Sequence, residues 1–325
     1  MHRSRTRGAC MVRAGRHTIE YTLAGPDFES GSSVRMAFVA GAGNFSASWE
    51  LQEAAFRTQH QVLLLENRGM ARSGSPGGLL WSVAGMADDV LAVLSSVGWD
   101  SAVHLVGHSM GAAIAYEVAC RARPGQLASV TQIGACVTPR CPGCWCGVNG
   151  APVPLEGVWR MCKLLLASDV AERVEANLRL NYPESFLQQQ AFDGGVGTNR
   201  EAVVRWLQRT LRGKGAVRQA SMMRQLLAVI LHQPAPLPST APPMLVIVGD
   251  QDISVHQASI RARADDIGAS LLVIRGAGHN CFLQSATHVN SAIQAHVMAS
   301  SVPLQERTVS MPPAACRETD VLLPM

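Results

Sequence analysis

No run of apolar residues in this chain reaches the roughly 18 needed to cross a bilayer, although 47% of its 325 residues are hydrophobic. The N-terminus also lacks the apolar core of a secretory signal. Both absences lead to the expectation of a soluble, cytoplasmic protein with no membrane span. Charge is sparse at 16%, but in a chain this apolar that fits a globular protein rather than a disordered one.

There is no basic face either. Of 28 basic residues only Lys163 and Lys214 are lysines, a bias we ascribe to codon composition. Arg3, Arg5, Arg7, Arg13 and Arg16 all precede the first acid, Glu20; since the whole chain carries +4, the rest without these five comes to about −1. A nucleic-acid partner is therefore not expected. An Arg-rich, acid-free start also suits an organelle-targeting segment, but the first expected strands begin near Cys10 and His17 and leave little room for one. A plain basic tail is the better reading.

Among nine cysteines, Cys141-Pro-Gly-Cys144-Trp-Cys146 has the C-x2-C spacing of tetrahedral zinc sites. A second matching pair is lacking, so reduced, incidental thiols are expected rather than a metal site. The rival, a zinc-dependent interaction protein built on these cysteines, would carry stoichiometric zinc.

What the chain does contain is an alternation of strand-like and helical stretches, the pattern of a mostly parallel α/β sheet flanked by helices. Strands are expected at residues 17–23, 35–40, 61–66, 102–107, 128–133, 244–249 and 270–275, and helices at 49–58, 81–97, 110–123, 255–267 and 286–300. About a hundred residues after the strand ending near Gly134 hold no comparable strand. They show helical periodicity at 158–180, 201–213 and 219–232, closed by the proline-rich Gln233-Pro-Ala-Pro-Leu-Pro-Ser-Thr-Ala-Pro-Pro243. The expected division is a core from 1–137 and 244–300, a helical lid insertion at 138–243, and a loosely attached tail at 301–325.

The most informative segment is Gly107-His108-Ser109-Met110-Gly111, set between an apolar strand and a small-residue helix. A serine at such a turn is an ordinary helix cap or an exposed nucleophile. As a nucleophile it needs small flanking residues, a base in reach, and donors aimed at the oxyanion it generates. Gly107 and Gly111 meet the first need, and the Met110 N–H at the helix start is one donor. An acid and a histidine follow in the expected order. Asp250 and Asp252 come just after one late strand, and His279, within Gly276-Ala-Gly-His279, comes after the next. Both lie at the same sheet edge as Ser109, where open α/β sheets place ligands. Alone, Asp252 reads as a turn or cap residue and His279 as a loop histidine. Four elements in one order, each at a strand end, favour catalysis. His104 and His256 read as structural, and His108 as the variable residue of the turn.

On these motifs the chain resembles the α/β-hydrolase superfamily, in its lidded branch of small esterases and lipases of the AB hydrolase-1 type, from about Cys10 to Ser300. The resemblance implies Ser109 as nucleophile, Asp252 as orienting acid with Asp250 second, and His279 as general base. It also implies an oxyanion loop at Ala40-Gly41-Ala42, whose usual histidine is absent; the Ala42 and Met110 N–H groups would hold the oxyanion, with Gly43 as a substitute for Ala42. The family's Asp-x-Arg-Gly-x-Gly-x-Ser turn appears as Glu66-Asn-Arg-Gly-Met-Ala-Arg-Ser73, with Glu66 for aspartate and Ala71 for the second glycine. The activity implied is two-step hydrolysis, by water, of a carboxylic ester or related acyl bond of a small hydrophobic substrate, with no cofactor. Carbon–carbon bond hydrolases and aminopeptidases share the triad, and a non-catalytic binder of hydrophobic ligands shares the fold. Trp159, Trp206 and Met223 are expected as substrate-binding residues on the lid, with Met222 and Leu226 beside them.

Overall fold

A computed structural model describes residues 8–26, 33–78, 80–135, 154–211, 218–255 and 257–301. The cysteine motif at 141–146, residue 256 and the segment 302–325 lie outside the described residues. The aliphatic runs form β1 (Cys10–Ala14), β2 (His17–Ala24), β3 (Arg35–Val39), β4 (Gln61–Leu65), β5 (Val103–His108), β6 (Leu127–Ile133), β7 (Met244–Gly249) and β8 (Ser270–Ile274). They make one eight-stranded sheet in the order β1-β2-β4-β3-β5-β6-β7-β8. β2 pairs antiparallel with β1 and β4, and every pairing from β4 to β8 across the sheet is parallel.

The helices are α1 (Glu50–Phe56), α2 (Val83–Ser96), α3 (Met110–Arg121), α4 (Leu155–Leu166), α5 (Val170–Asn181), α6 (Glu184–Leu187), α7 (Asn199–Leu211), α8 (Gln219–Ile230), α9 (Gln257–Asp266), α10 (Cys281–Gln284) and α11 (Ala286–Ser301). Among the described residues none is long and apolar enough to cross a membrane.

Successive side chains of a strand point to opposite faces, and here each face has its own core. Ala37 and Val39 of β3, and Val246 and Val248 of β7, pack with α2, α3, α9 and the end of α8. Met36 and Phe38, Leu245 and Ile247 pack with Trp49, Phe56, Phe282 and α11. Because both faces are covered, β5 and β7 are buried at every residue, which is why they read as unbroken apolar runs. α4 to α8 lie between β6 and β7 in the chain. A third, smaller core holds Leu178, Tyr182, Phe186, Val203 and Trp206 together and reaches Leu283 of α10.

The expected elements are all present, with ends shifted by at most three residues. The stretch 158–180, expected as one helical run, is two helices. Asp169 breaks it: its backbone is extended, and its side chain accepts the Glu172 N–H at 2.8 Å, capping α5. The 3-10 turn Ser46–Trp49 and the one-turn helices α6 and α10 were not expected, being too short for periodicity to register.

Near the N-terminal ends of the strands the buried His104 feels two other histidines, the buried His60 and the partly buried His296 of α11. Burial and the charges that His296 and His60 would carry push His104 down to about 4 from the ordinary 6.5. Burial lowers His60 and His296 as well. The folded values lie below the unfolded one, so below pH 6.5 the unfolded chain binds more protons. Stability is full above about 6.5 and lost as pH falls toward 4. For His104 alone the loss amounts to about 3 kcal/mol. Urea unfolding at pH 7.5 and pH 5 should show the midpoint falling with acid and a smaller fall in His104→Gln. A midpoint unchanged between the two would refute the account.

Candidate active site

The sharp turn between β5 and α3 puts Ser109 at φ 55 and ψ −116, a region that side-chain-bearing residues rarely occupy. Its flanking glycines are forced by contact. A Cβ on Gly107 would lie 2.0 Å from the Gly111 carbonyl oxygen, and one on Gly111 would lie 2.0 Å from that of Val39. The Ser109 backbone is tied down, its N–H donating to the Ile133 carbonyl at 2.8 Å. The hydroxyl makes no capping bond to the helix it precedes, which sets aside the reading of Ser109 as a side-chain cap.

Asp252 follows β7 and His279 follows β8. His279 Nδ1 is 2.7 Å from Asp252 Oδ2, and the Asp252 side chain is fully buried. The other Asp252 oxygen accepts the Ser254 N–H at 2.7 Å. Asp250, the second candidate, instead accepts the Gly276 N–H at 2.7 Å and so braces the loop that carries the histidine. That loop bends tightly. Gly276 is at φ 71, and a Cβ on Gly278 would lie 2.6 Å from the Asn181 carbonyl oxygen at the end of α5.

His108, read from the sequence as merely the variable residue of the turn, has a definite place. Its Nε2 donates to the His279 backbone carbonyl at 3.1 Å, so that nitrogen carries the ring proton. Complete burial, then the nearby His279, holds its pKa well below the ordinary value and keeps the ring neutral. The ring packs, tilted, against His279 and Phe282, with centroids at 4.9 and 4.6 Å. Its signal in the sequence was a polar ring at the last position of a strand, next to the serine turn.

The loop after β3 lies against the serine: a Cβ on Gly41 would be 3.2 Å from Ser109 Cβ and 3.1 Å from His108 Nδ1. Among the described residues no protein acceptor takes the Ala42 or the Met110 N–H. The Gly43 N–H, by contrast, is engaged, donating to Gln225 Oε1 at 2.8 Å. The turn after β4 supports this loop. Asn67 Nδ2 donates to the Ala40 carbonyl at 2.9 Å, and the Glu66 carboxylate accepts the Ser46 N–H at 3.0 Å and hydroxyl at 2.6 Å. Ala71 adopts φ 42, a conformation that suits glycine better.

Ser109, His279, Ala42 and Met110 share one cavity of about 320 Å³. Its wall is mostly apolar, from Met161, Leu164 and Leu165 of α4 and Met222, Met223 and Leu226 of α8. Two of the three expected substrate-binding residues lie elsewhere. Trp206 is buried in the small third core, because α7 turns that face toward α5 and α6. Trp159 is on the outer side of α4, 55% exposed, with Lys163 Nζ 3.9 Å over its ring. Only Met223 of the three is on the cavity wall. Among the described residues no three His, Cys, Asp or Glu side chains are grouped as metal ligands would be.

A model of the alpha/beta hydrolase family matches residues 36–289. RutD of Azorhizobium caulinodans, to which carbamate hydrolysis is ascribed, is 30% identical over 164 residues, 49% of this chain and 55% of its own. The chain spans about half the length of that relative, and the match is confined to that portion. In fold it is similar to the enol-lactonase of Burkholderia xenovorans LB400, with TM-score 0.67 and 18% identity over 89% of this chain and 100% of that one. It is equally similar to an esterase from Rhodococcus sp. ECU1013, with TM-score 0.68 and 18% identity over 91% and 100%.

The contacts at the turn generate a direct test. Gly107→Ala and Gly111→Ala should each cost about 3 kcal/mol or more, since backbone atoms on both sides must move. Gly77→Ala, where a Cβ meets nothing within 4 Å, should change stability by no more than about 0.5 kcal/mol. Urea melts of the three variants distinguish a backbone constraint from general intolerance of substitution. Equal losses at all three positions would contradict it.

Proposed function

The chain belongs to the alpha/beta hydrolase family, and from that premise we propose that it is a serine hydrolase cleaving a carboxylic ester, or a related acyl bond, of a small hydrophobic substrate. The observation that carries this reading is the 2.7 Å His279–Asp252 pair opening onto the same cavity as the strained Ser109 turn. Asp252 accepts from Nδ1–H, which leaves Nε2 of His279 as the basic nitrogen. His279 takes the Ser109 proton as Oγ attacks the substrate carbonyl, and the Ala42 and Met110 N–H groups receive the oxyanion. The protonated His279 then gives its proton to the leaving group. Water, deprotonated by His279, releases the acid and restores Ser109.

The helical segment between β6 and β7 acts as the lid of this cavity, supplying its apolar wall from α4 and α8. At about 320 Å³ the cavity lies near the lower end of ligand sites, which favours a small substrate. Among the described residues no Asp or Glu lines the cavity, which favours acyl esters over N-terminal peptides, whose ammonium group would need such a partner. The esterase, the enol-lactonase and the carbamate hydrolysis ascribed to RutD all involve attack at an acyl carbon, the step proposed here.

A fluorophosphonate probe followed by p-nitrophenyl esters of increasing acyl length tests the proposal. Wild-type protein should label and turn over. Ser109→Ala should do neither. His279→Ala and Asp252→Asn should each lose about 10⁴-fold in kcat, the latter by destabilising the productive tautomer. Folded wild-type protein that is not labelled would refute the hydrolase and leave the hydrophobic-ligand binder. A single turnover without steady-state release would do the same.

A further inference from the structure

The lid helix α8 carries one completely buried polar side chain that the proposed mechanism does not use, Gln225. Its carboxamide joins two separate loops. Oε1 accepts the Gly43 N–H at 2.8 Å, and Nε2 donates to the Arg68 carbonyl at 3.0 Å. The orientation of the amide is fixed by its partners, one a backbone donor and the other a backbone acceptor.

Two glycines mark how closely α8 is seated on these loops. Gly43 is at φ +69, and a Cβ there would lie 2.9 Å from Met222 Sδ. Gly69 is at φ +80, and a Cβ there would lie 2.7 Å from Ser221 Oγ. Ser221, Met222 and Gln225 therefore form one face of α8 pressed onto the loop after β3 and the turn after β4. Those two segments are also tied to each other beneath the helix, by Asn67 Nδ2 donating to the Ala40 carbonyl.

We propose that Gln225 is a positioning residue for the oxyanion loop: it holds Gly43 in place by its N–H, and so aims the adjacent Ala42 N–H into the cavity beside Ser109. The assignment rests on the serine hydrolase reading above. It gives the lid a second task besides walling the cavity, because the oxyanion loop is correctly shaped only while α8 is docked. It also explains why the Gly43 N–H is not itself the donor. Gln225 already occupies it, and the rotation that would free it would break the bond to Arg68 as well.

The distinguishing property of a positioning residue is that its loss acts on the transition state and not on substrate binding. Gln225→Leu keeps the apolar contacts of the stem and removes both hydrogen bonds. With p-nitrophenyl butyrate it should lower kcat by about 10- to 100-fold while KM stays within about twofold, a smaller loss than the removal of an oxyanion donor outright. Its fluorophosphonate labelling rate should fall in parallel, because the phosphonyl oxygen uses the same donors.

Gln225→Glu supplies a second readout, which holds even where the leucine variant does not fold. A carboxyl buried at this position keeps its proton to higher pH than an exposed one, and when protonated it offers the same acceptor and donor as the amide. The ratio of its kcat to that of wild type should therefore rise as pH is lowered from 8 to 6. A folded Gln225→Leu with kcat within twofold of wild type would overturn the assignment. So would a Gln225→Glu ratio that does not change with pH. A wild-type protein that neither labels nor turns over would instead refute the hydrolase itself, and the positioning role with it.

Discussion

Everything at the candidate site follows from how closely helix α3 can approach strands β3 and β5. The two glycines flanking Ser109 stand where a methyl group would overlap backbone carbonyls, so the crossing is set by main chain against main chain. That contact forces the serine into positive φ and projects it from the sheet edge. The same approach brings the loop after β3 down beside it, close enough that a Cβ on Gly41 would press on the His108 and Ser109 side chains at 3.1 and 3.2 Å. A strained residue persists only when its surroundings over-determine it. Here they do so through the Ser109 N–H bond to β6, the buried β5 strand behind it, and the His108 ring wedged among Phe282 and His279.

The remaining groups reach the serine because β7 and β8 run parallel to β5 and end at the same edge. Asp252 and His279 each sit a few residues past such an end. Their loops are then drawn together by bonds that belong to neither side chain alone: Asp250 to Gly276, His108 to the His279 carbonyl, Gln284 to the Gly278 N–H. A four-residue segment at each strand end is enough to bring Asp252 and His279 into contact only because the sheet has already fixed the distance between the ends.

This is also why the strand-end residues were legible in the sequence. Each follows directly on an apolar run and is marked by glycine, so both its location and its loop could be read without knowing any tertiary contact. The cavity wall was not legible in the same way. Helical periodicity says which residues share a face, but not what that face meets. Met223 and Trp206 have equally apolar surroundings in sequence, yet α8 turns Met223 to the cavity while α7 turns Trp206 to Tyr182 and Phe186. Asp169 was a readable break in the 158–180 stretch, with Glu172 three residues on, and was masked by the apolar periodicity on either side. Gln225 left a fainter trace, a single amide on the face of an apolar helix, whose meaning depended on two loops more than 150 residues away.

The departures of this chain from the family's turn after β4 are informative because the structure compensates for them. Glutamate in place of aspartate at position 66 reaches one methylene further, and its carboxylate takes both the N–H and the hydroxyl of Ser46 just beyond the loop after β3. Alanine at position 71 stands at φ 42 where glycine would be unstrained, and Ser73 nearby holds the turn by donating to the Glu66 carbonyl and accepting the Glu20 N–H. Family membership therefore constrains this frame more than it constrains the residues that build it. The same holds for substrate. Solved structures named for ester and lactone chemistry share the fold at 18% identity, and one fold hosts many functions by varying the site built on it. In this chain the surroundings include the methionines and leucines of α4 and α8, with Asn44, Asn177, Asn181 and Arg263 also on the lining. Flexible, unbranched methionine side chains adapt to irregular shapes, and the cavity lining includes Met161, Met222 and Met223. On the hydrolase reading proposed above, a few methylenes on a substrate would change binding by modest factors, whereas a charge placed against the methionines and leucines of the lining, away from Arg263, would be rejected strongly.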